Sequence, residues 1–522
     1  MPERFTSAAF VKDSTVISAL SILGVAGAFL LDVVMAAKFG LGHRTDAFFI
    51  AVAIPQLIWS ILTSATTRVL TPVFTQLLDT EGEAETSVVF STLSTLSLVA
   101  MSILAGAGVL LSPVIVAVAG AGLDEQTASL ALTLSRILFL MLIPAALIQI
   151  MKAFLNARNH FATPAAATLI QYAIIVTTLL LLGPILDIAA VAVGYVLSMV
   201  GQVLVLGIAT WFKGGSYKPV VKLRHPVVRR TVGLMTPPLS GELLAQSVVV
   251  IERALASFLA PGSVSALAYA GRILRASDVL FLNNVVVAGL PRLSSLAAAR
   301  DFDGFKRFLS LGLKLTWALT IPLTAGILAL NRPIVGLVFQ RGAFNPQDAV
   351  VTARILSMYM LGFPFLAMLR MLLTSFYAVQ DTKTPFLIRT SMMGQNLIGD
   401  LILMSVLGVP GLALSTSLTF VVHCLPAARL LRRRIGPLKM RVGVYVAKSA
   451  VAACVMGMST VIFHIGLQQV LGKMAFPGQL VATSIAALLG GIVYVATMLV
   501  LKTDEFRQFV GSALRRLPLG EN

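Results

Sequence analysis

Fourteen long apolar segments restrict what this sequence can fold into. A helix crosses the hydrocarbon core of a membrane with roughly 20 apolar residues, and each segment is at least that long. Because a backbone in lipid must satisfy its hydrogen bonds internally, segments of this length are expected to be helices. The sequence therefore predicts an all-α polytopic membrane protein. The segments lie at about residues 15–38, 47–76, 86–118, 128–152, 161–184, 187–212, 231–259, 263–291, 308–331, 347–378, 385–407, 409–428, 442–467 and 477–501.

The composition excludes most water-soluble classes of protein. Apolar residues make up 57% of the chain and charged residues 12%, whereas soluble domains carry about 45–50% and about 25%. So few charges cannot coat a soluble enzyme or nucleic-acid-binding protein of this size. The net charge of +18 is attributed to basic loops on one side of a membrane. We expect membrane lipids as partners, and no nucleic acid.

The distribution of Lys and Arg predicts the orientation. With the N-terminus inside, the inside segments hold 26 of these residues and the outside loops hold five. Inner loops of membrane proteins are enriched in Lys and Arg in this way. Both termini are therefore expected to be cytoplasmic.

The two longest basic linkers divide the predicted helices into groups. We expect an N-terminal six-helix lobe at 1–212, a basic cytoplasmic linker at 213–230, and a second six-helix lobe at 231–428. A second linker at 429–441, a C-terminal helix pair at 442–501 and a cytoplasmic tail at 502–522 follow. Two six-helix lobes around a central substrate path are typical of transporters. No clear sequence repeat between the halves is evident.

Charges inside the predicted spans are the candidate functional residues, because each is costly unless it is paired or hydrated. Arg272 and Arg275 lie one turn apart in the eighth span, and Asp278 follows one turn later. In the seventh span Glu242 and Arg253 share a face, being close to three turns apart. Arginine suits phosphate because its planar fork donates two parallel hydrogen bonds. We interpret this region as an anion-binding face; a salt-bridge cluster that only braces the bundle is the alternative.

Motifs for enzymatic chemistry are weak. The sequence contains no HExxH, GxxxxGK[ST] or GxSxG. Asp301 and Asp303 form a DxD motif in a charged loop, where solvated carboxylates are the ordinary explanation. Cys424 and Cys454 lie in apolar stretches and suggest no disulfide or metal framework. We expect no catalytic residues, no metal and no cofactor.

Six segments, in order along the chain, resemble motifs of the MurJ/MviN family. Together they are specific, although each alone is weak. They are Thr45–Ala51 (TDAFFIA) with Pro55, Phe154–Phe161 (FLNARNHF) with Pro164, Ala256–Ala270 (ASFLAPGSVSALAYA), Leu290–Ser294 (LPRLS), Phe339–Phe344 (FQRGAF) and Ser375–Pro385 (SFYAVQDTKTP).

The resemblance implies a fourteen-helix flippase of the bacterial inner membrane. Members of the family carry lipid II, an undecaprenyl-pyrophosphate-linked peptidoglycan precursor, by alternating access between two lobes. The resemblance also implies a cationic central cavity for the pyrophosphate, and a hydrophobic groove for the lipid tail that reaches the last two helices. Cell-wall or polysaccharide synthesis machinery would be the protein partner.

The cationic positions of the family are rearranged here. The first span has no Arg or Lys between Lys12 and Lys38, and only Asp32 remains of its charged motif. In the eighth span the family's YADR reads Tyr269–Arg272 with Gly271 in place of the Asp, and Arg275 is added. A flippase for another lipid-linked oligosaccharide, such as an exopolysaccharide unit, and a MATE-like cation antiporter stay open as alternatives.

The predicted site follows from these matches. The substrate-binding candidates are Arg272, Arg275, Arg68 and Arg253. The candidates for gating or ion pairing are Asp32, Asp46, Glu242 and Asp278.

Overall fold

A computed structural model describes most of the chain as helix. The described residues are 7–215, 217–218, 222, 225–437, 442–471 and 476–501. They contain seventeen helices and no strand. The prediction of an all-α polytopic protein is confirmed.

The helices follow one another with short connections. They are α1 (Ser7–Phe39), α2 (His43–Thr80), α3 (Gly82–Ala119), α4 (Glu125–Phe139), α5 (Leu142–Ala157), α6 (Ala162–Leu186), α7 (Ala189–Phe212), α8 (Pro226–Ala256), α9 (Ser263–Phe281), α10 (Asn283–Ala298), α11 (Phe302–Ala329), α12 (Asn331–Phe339), α13 (Pro346–Ala378), α14 (Lys383–Leu407), α15 (Val409–Ile435), α16 (Val442–Leu471) and α17 (Phe476–Val500).

Within the described residues, eleven helical segments are long and apolar enough to cross a membrane. The predicted spans without a counterpart among them correspond to α8, to α9 with α10, and to α14. Charges lie in the interior of each of these segments, including Arg253, Arg272, Arg275 and Asp400. Two of them, α8 and α9, correspond to the seventh and eighth predicted spans, on which the anion-binding face was predicted.

Two predicted spans are interrupted. The span at 128–152 becomes α4 and α5, which meet at Leu140 and Met141. Pro144 lies in the first turn of α5, where its missing N–H cannot donate to the carbonyl of Leu140. The span at 263–291 divides at Leu282 into α9 and α10.

The chain forms two compact units. The first contains Met1–Ser265 with Gly342–Phe344. Its buried cluster places the rings of Phe74, Phe90 and Phe154 together, with centroids 4.7 to 6.3 Å apart. These rings join α2, α3 and α5.

The second unit contains Ala266–Arg341 and Asn345–Asn522. One buried cluster joins α10, α11, α13, α14 and α15. A second places Trp317 of α11 against α16 and α17, where the hydroxyls of Ser449 and Tyr494 are 2.7 Å apart. The boundaries predicted at the two basic linkers stay predictions.

The two units repeat a local geometry that the sequence did not reveal. Three pairs of equivalent positions are each 221 residues apart: Asp124 and Asn345, Asn159 and Gln380, and Asp187 and Gly408. The first pair caps a helix, since Asp124 accepts from the amide of Thr127 at 3.1 Å and Asn345 from that of Asp348 at 2.9 Å. The second pair has φ of 58° and 62°, and the third has φ of 51° and 65°. The turns share a backbone geometry although their residue types differ.

Candidate functional site

Arg272 and Arg275 form a cationic face on α9, and Gly271 lies beside them on the same face. We call these three residues the cationic face of α9. Gly271 is buried, Arg272 is half-buried and Arg275 is exposed. The guanidinium of Arg275 folds back toward the preceding turn: a Cβ built on Gly271 would lie 3.3 Å from its Nη1 atom. The structure therefore places both predicted arginines on one stretch of helix, each with a planar, bidentate donor.

Asp278, one turn further along α9, is paired with another helix of the second unit. Nη1 of Arg370 in α13 donates to its Oδ1 at 2.6 Å. Arg370 lies inside the predicted span 347–378 and is not among the residues of the predicted site. The bond ties α9 to α13, which is the bracing role weighed for this cluster.

Tyr269 fixes the helix beneath this face. Its side chain is fully buried, and its ring lies 5.0 Å, centroid to centroid, from that of Phe339 in α12. Aromatic pairs at this separation add to the free energy gained by burial. The part of α9 that carries the cationic face is therefore held in place by packing against α12.

Arg253 of α8 is buried within the first unit. Its Nη1 donates to the carbonyl oxygen of Phe49 at 2.9 Å, and its guanidinium carbon lies 5.7 Å from the centre of that ring. One donor is thus used to join α8 to α2. A role in substrate binding stays a prediction for Arg253.

Asp46 lies in the first turn of α2 and fastens the turn before α9. Its carboxylate accepts from the amides of Gly262 at 2.6 Å and Ser265 at 2.8 Å, and from the hydroxyl of Ser265 at 2.7 Å. All three residues are buried in the first unit. We call this arrangement the Asp46 clamp; the gating role of Asp46 stays a prediction.

The other candidates are less informative. Asp32 is buried in α1. Glu242 accepts a hydrogen bond from Nε2 of Gln246 at 2.9 Å, one turn along α8. The side chain of Arg68 lies outside the described part of the chain. Their predicted roles are therefore untested.

The second unit contains an apolar cavity that is widely open to the surface and that the residues alone did not locate. Its volume is about 720 Å³, and it lies between α11, α13 and α16. Small ligands generally occupy cavities of 300 to 1,000 Å³. We call this the α16 cavity; its lining includes Ile321, Thr324, Leu328, Pro364, Cys454 and Met458.

Asn396 and Asp400 form a buried polar pair between α14 and α15. Nδ2 of Asn396 donates to Asp400 at 2.7 Å, and the hydroxyl of Ser415 donates to the carbonyl of Asn396 at 3.1 Å. Asp400 lies inside the predicted span 385–407, where a charge needs a partner or water. The four-residue spacing on a helix could have indicated its neighbour.

The turn before α14 is held by a carboxylate outside the membrane-spanning segments. Burial alone would raise the pKa of Asp381, but bonds from Thr384 and the nearby Arg434 guanidinium outweigh it and hold the pKa below its usual range. The hydroxyl of Thr384 donates at 2.7 Å, and Nη2 of Arg434 lies 3.0 Å away. Asp381 thus fastens the start of α14 to the end of α15.

The DxD motif has structural roles. Asp301 caps α11 by accepting from the amide of Gly304 at 2.8 Å, and Asp303 pairs with Lys306 at 2.8 Å. Among the described residues, no group of three His, Cys, Asp or Glu side chains is placed to hold a metal ion.

The fold is shared with solved transporters. A structure of lipid II flippase MurJ in an inward closed conformation matches with a TM-score of 0.73 and 24% identity, covering 94% of this chain and all of that one. An inward-facing multidrug resistance MATE transporter of the MOP superfamily matches at 0.67 with 14% identity, covering 80% and 95%. At these identities the likeness shows the fold alone. The fold therefore defines the class: a polytopic helical membrane protein with the fold of these solved transporters.

Sequence relationships give the family. The family model described as lipid II flippase MurJ matches residues 35–482. Lipid II flippase MurJ of Burkholderia cenocepacia is 26% identical over 427 residues, covering 80% of this chain and 83% of that protein. A probable lipid II flippase MurJ of Thermotoga maritima is 27% identical over 487 residues, covering 92% and 94%. The chain belongs to the lipid II flippase MurJ family, as the resemblance predicted.

Proposed function

We propose that this protein carries lipid II across the bacterial inner membrane by alternating access, with both termini in the cytoplasm. The observation that carries the proposal is the family match over residues 35–482 together with two arginines on one face of α9. Lipid II joins a pyrophosphate, a glycan and a long apolar tail. A transporter for it needs a cationic position and an apolar one.

The cationic face of α9 is the proposed cationic position. Arg272 and Arg275 can each donate two parallel hydrogen bonds to phosphoryl oxygens. Such charge-assisted bonds contribute about 1.5–3 kcal/mol each. Arg272 is the principal phosphate-binding residue in this proposal, because it occupies the Arg position of the family motif. Arg68 and Arg253 are secondary candidates.

The α16 cavity is the proposed apolar position. Its lining is apolar apart from the hydroxyl of Thr324, which suits a hydrocarbon chain. Transfer of apolar surface into such a site is favourable by roughly 25 cal/mol per Å². We assign the undecaprenyl tail to this cavity.

The Asp46 clamp supplies a gate. Each accessible state of an alternating-access transporter must close one side of the substrate path. On the predicted topology, the α1–α2 and α8–α9 connections both face outward. Asp46 would then hold the outer side closed until its three hydrogen bonds break. Asp32, Glu242 and Asp278 complete the proposed set of gating and ion-pairing residues.

Complementation of a strain depleted of its own MurJ tests the proposal. The protein is expected to restore growth and the surface exposure of lipid II. The variant Arg272→Ala is expected to fail at equal expression, while Arg354→Gln, at an exposed arginine of α13, serves as the matched control. Rescue by Arg272→Ala would overturn the assignment of that residue.

A different lipid-linked oligosaccharide is the second candidate substrate. The absence of Arg and Lys from residues 13–37 favours it, because the family's first span carries arginines there. Failure of a correctly inserted protein to rescue would select this candidate. The polysaccharide missing after deletion of the native gene would then identify the glycan, and its synthesis machinery would be the partner.

Natural cysteines allow a direct test of the tail position. Cys454 lines the α16 cavity and is exposed, whereas Cys424 is buried. An alkyl maleimide at Cys454 is expected to inhibit transport, and lipid II is expected to slow the labelling. A Cys454→Ala, Val470→Cys protein carries the label on an exposed position of the same helix and should stay active. Equal inhibition in both proteins would contradict the assignment.

A further inference from the structure

Pro322 removes one hydrogen bond from the interior of α11. A proline has no N–H, so the carbonyl of the residue four positions earlier, Ala318, loses its donor within the helix. Ala318 is buried, and a buried carbonyl without a donor is costly. In membrane proteins a side chain of a neighbouring helix commonly satisfies such a carbonyl. The helix that supplies the donor here can therefore be sought among those that pack on α11.

Tyr494 of α17 supplies the donor from 176 residues away in sequence. Its hydroxyl donates to the carbonyl oxygen of Ala318 at 3.4 Å, a long hydrogen bond. The hydroxyl of Ser449 in α16 lies 2.7 Å from that of Tyr494. Because a tyrosine hydroxyl has one proton, Ser449 is the donor in this second bond. Side chains of α16 and α17 thus meet the backbone of α11 at one buried position, which we call the Pro322 junction.

The α16 cavity begins beside the Pro322 junction on two of its helices. On α11 the lining starts at Ile321, next to Pro322, and continues to Ala329. On α16 it starts at Ala450, next to Ser449, and continues to residue 462. The same two helices are therefore joined by hydrogen bonds at the junction and form two walls of the cavity beyond it.

The proline also marks the place where α11 can bend. Its ring clashes with the preceding turn, and sharp helix kinks are found mostly at prolines. Beyond it, the wall formed by residues 323–329 is apolar apart from Thr324. Apolar packing has no directional preference, whereas a hydrogen bond has a preferred length and angle. The bond from Tyr494 therefore determines where this wall lies relative to α16 and α17.

We propose that Tyr494 is a positioning residue of the α16 cavity, which replaces the helical donor that Pro322 removes and so holds the α11 wall in place. Ser449 orients the Tyr494 hydroxyl by donating to it. This role does not depend on what occupies the cavity. Its consequence for transport rests on the proposed function: if the cavity receives the lipid tail, a displaced wall weakens the binding of that tail.

A double-mutant cycle between Tyr494 and Pro322 tests the inference. Tyr494→Phe keeps the ring and removes the donor to Ala318. Pro322→Ala returns an N–H to the helix, where it can donate to the same carbonyl. Amide hydrogen exchange of residues 323–329 in the purified full-length protein measures opening of the wall. Tyr494→Phe is expected to accelerate this exchange about threefold to tenfold, the range for one hydrogen bond between neutral groups. With Pro322→Ala present, it should have almost no effect.

Labelling of Cys454 measures access to the cavity itself. Cys454 lines the cavity and is exposed, whereas Cys424 is buried, so a small maleimide reports on the cavity. Tyr494→Phe should change the labelling rate about threefold or more. The double variant should be labelled at the rate of Pro322→Ala alone. Tyr445→Phe, at another buried tyrosine of the same cluster, is the control, and its effect should be equal with and without Pro322→Ala.

The outcomes separate this inference from the proposed function. Equal effects of Tyr494→Phe with and without Pro322→Ala would overturn the inference, because the hydroxyl would then stabilise the fold without replacing the missing donor. Unchanged exchange and labelling in Tyr494→Phe would overturn it as well. If that variant does not accumulate, Ser449→Ala takes its place in the cycle, with a smaller effect that Pro322→Ala should again remove. Neither measurement requires transport, so a failure to carry lipid II would leave this inference standing.

Discussion

Replacement of Asp46 by Asn tests the clamp with almost no change in volume. The carboxylate accepts three hydrogen bonds, from the amide of Gly262 and from the amide and hydroxyl of Ser265, at 2.6 to 2.8 Å. An asparagine oxygen can still accept from Ser265. Its NH₂ group would then face the N–H of Gly262, so that two donors meet at a buried position.

The expected loss follows from these contacts. A hydrogen bond to a charged group contributes about 1.5–3 kcal/mol, and an unsatisfied buried group costs about 1–3 kcal/mol. Because such contributions are not additive for neighbouring groups, we expect Asp46→Asn to weaken the clamp by about 2–3 kcal/mol. Ser265→Ala removes one donor and keeps both backbone contacts, so its effect should be about 1.5 kcal/mol, smaller than that of Asp46→Asn.

Amide hydrogen exchange of the segment 257–266 measures the opening of the clamp. A change of about 2 kcal/mol raises the open population up to about 30-fold, and exchange should accelerate by that factor in Asp46→Asn. Ser449→Ala removes a buried serine hydroxyl from the second unit and should leave the segment unchanged. Unaltered exchange in Asp46→Asn, or a larger effect in Ser265→Ala, would refute the reasoning.

Two further predictions concern the second unit. The pKa of Asp381 is held below its ordinary value despite burial, so its carboxylate contributes stability that is present above about pH 4 and lost as pH falls further. Thermal unfolding from pH 5 to pH 3 should show this loss of stability. The Asp381→Asn variant should show a weaker dependence of stability on pH. Gly362→Ala should lower stability by about 1–3 kcal/mol, because its Cβ would lie 2.5 Å from the Cα of Ser417. Gly394→Ala, in an open part of α14, should be neutral or stabilising in the same unfolding measurement.

Apolar length predicted most of the fold, and the exceptions have physical reasons. Long apolar runs place α3, α6, α7 and α17 close to their predicted bounds. Apolarity alone cannot distinguish one continuous helix from two, so the break at Leu282 between α9 and α10 was missed. The signal was the Asn283–Asn284 pair, since asparagine has low helix propensity.

The energetic cost of placing charges in apolar segments predicted part of the site. Arg272, Arg275 and Asp278 were identified because a charge in an apolar segment needs a partner or water. The partner of Asp278 could not be identified, because Arg370 is 92 residues away in sequence. The resemblance implied an apolar groove reaching the last two helices, but the residues alone could not give the lining of the α16 cavity. Three distant helices form it, and its residues are as apolar as those that face lipid.

The internal repeat contains two turns with similar backbone geometry but different side-chain chemistry. Thr45 and Ser265 lie 220 residues apart, and the hydroxyl oxygen of each is close to the carbonyl oxygen three residues earlier, that of Gly42 at 3.0 Å and that of Gly262 at 3.1 Å. The residues that follow them are Asp46 and Ala266. Alanine has no acceptor, so a clamp of this kind can be made by the first of the two turns and not by its equivalent. The function of the turn therefore depends on one carboxylate, which is why a change confined to Asp46 should alter exchange in the 257–266 segment without disturbing the packed helices around it.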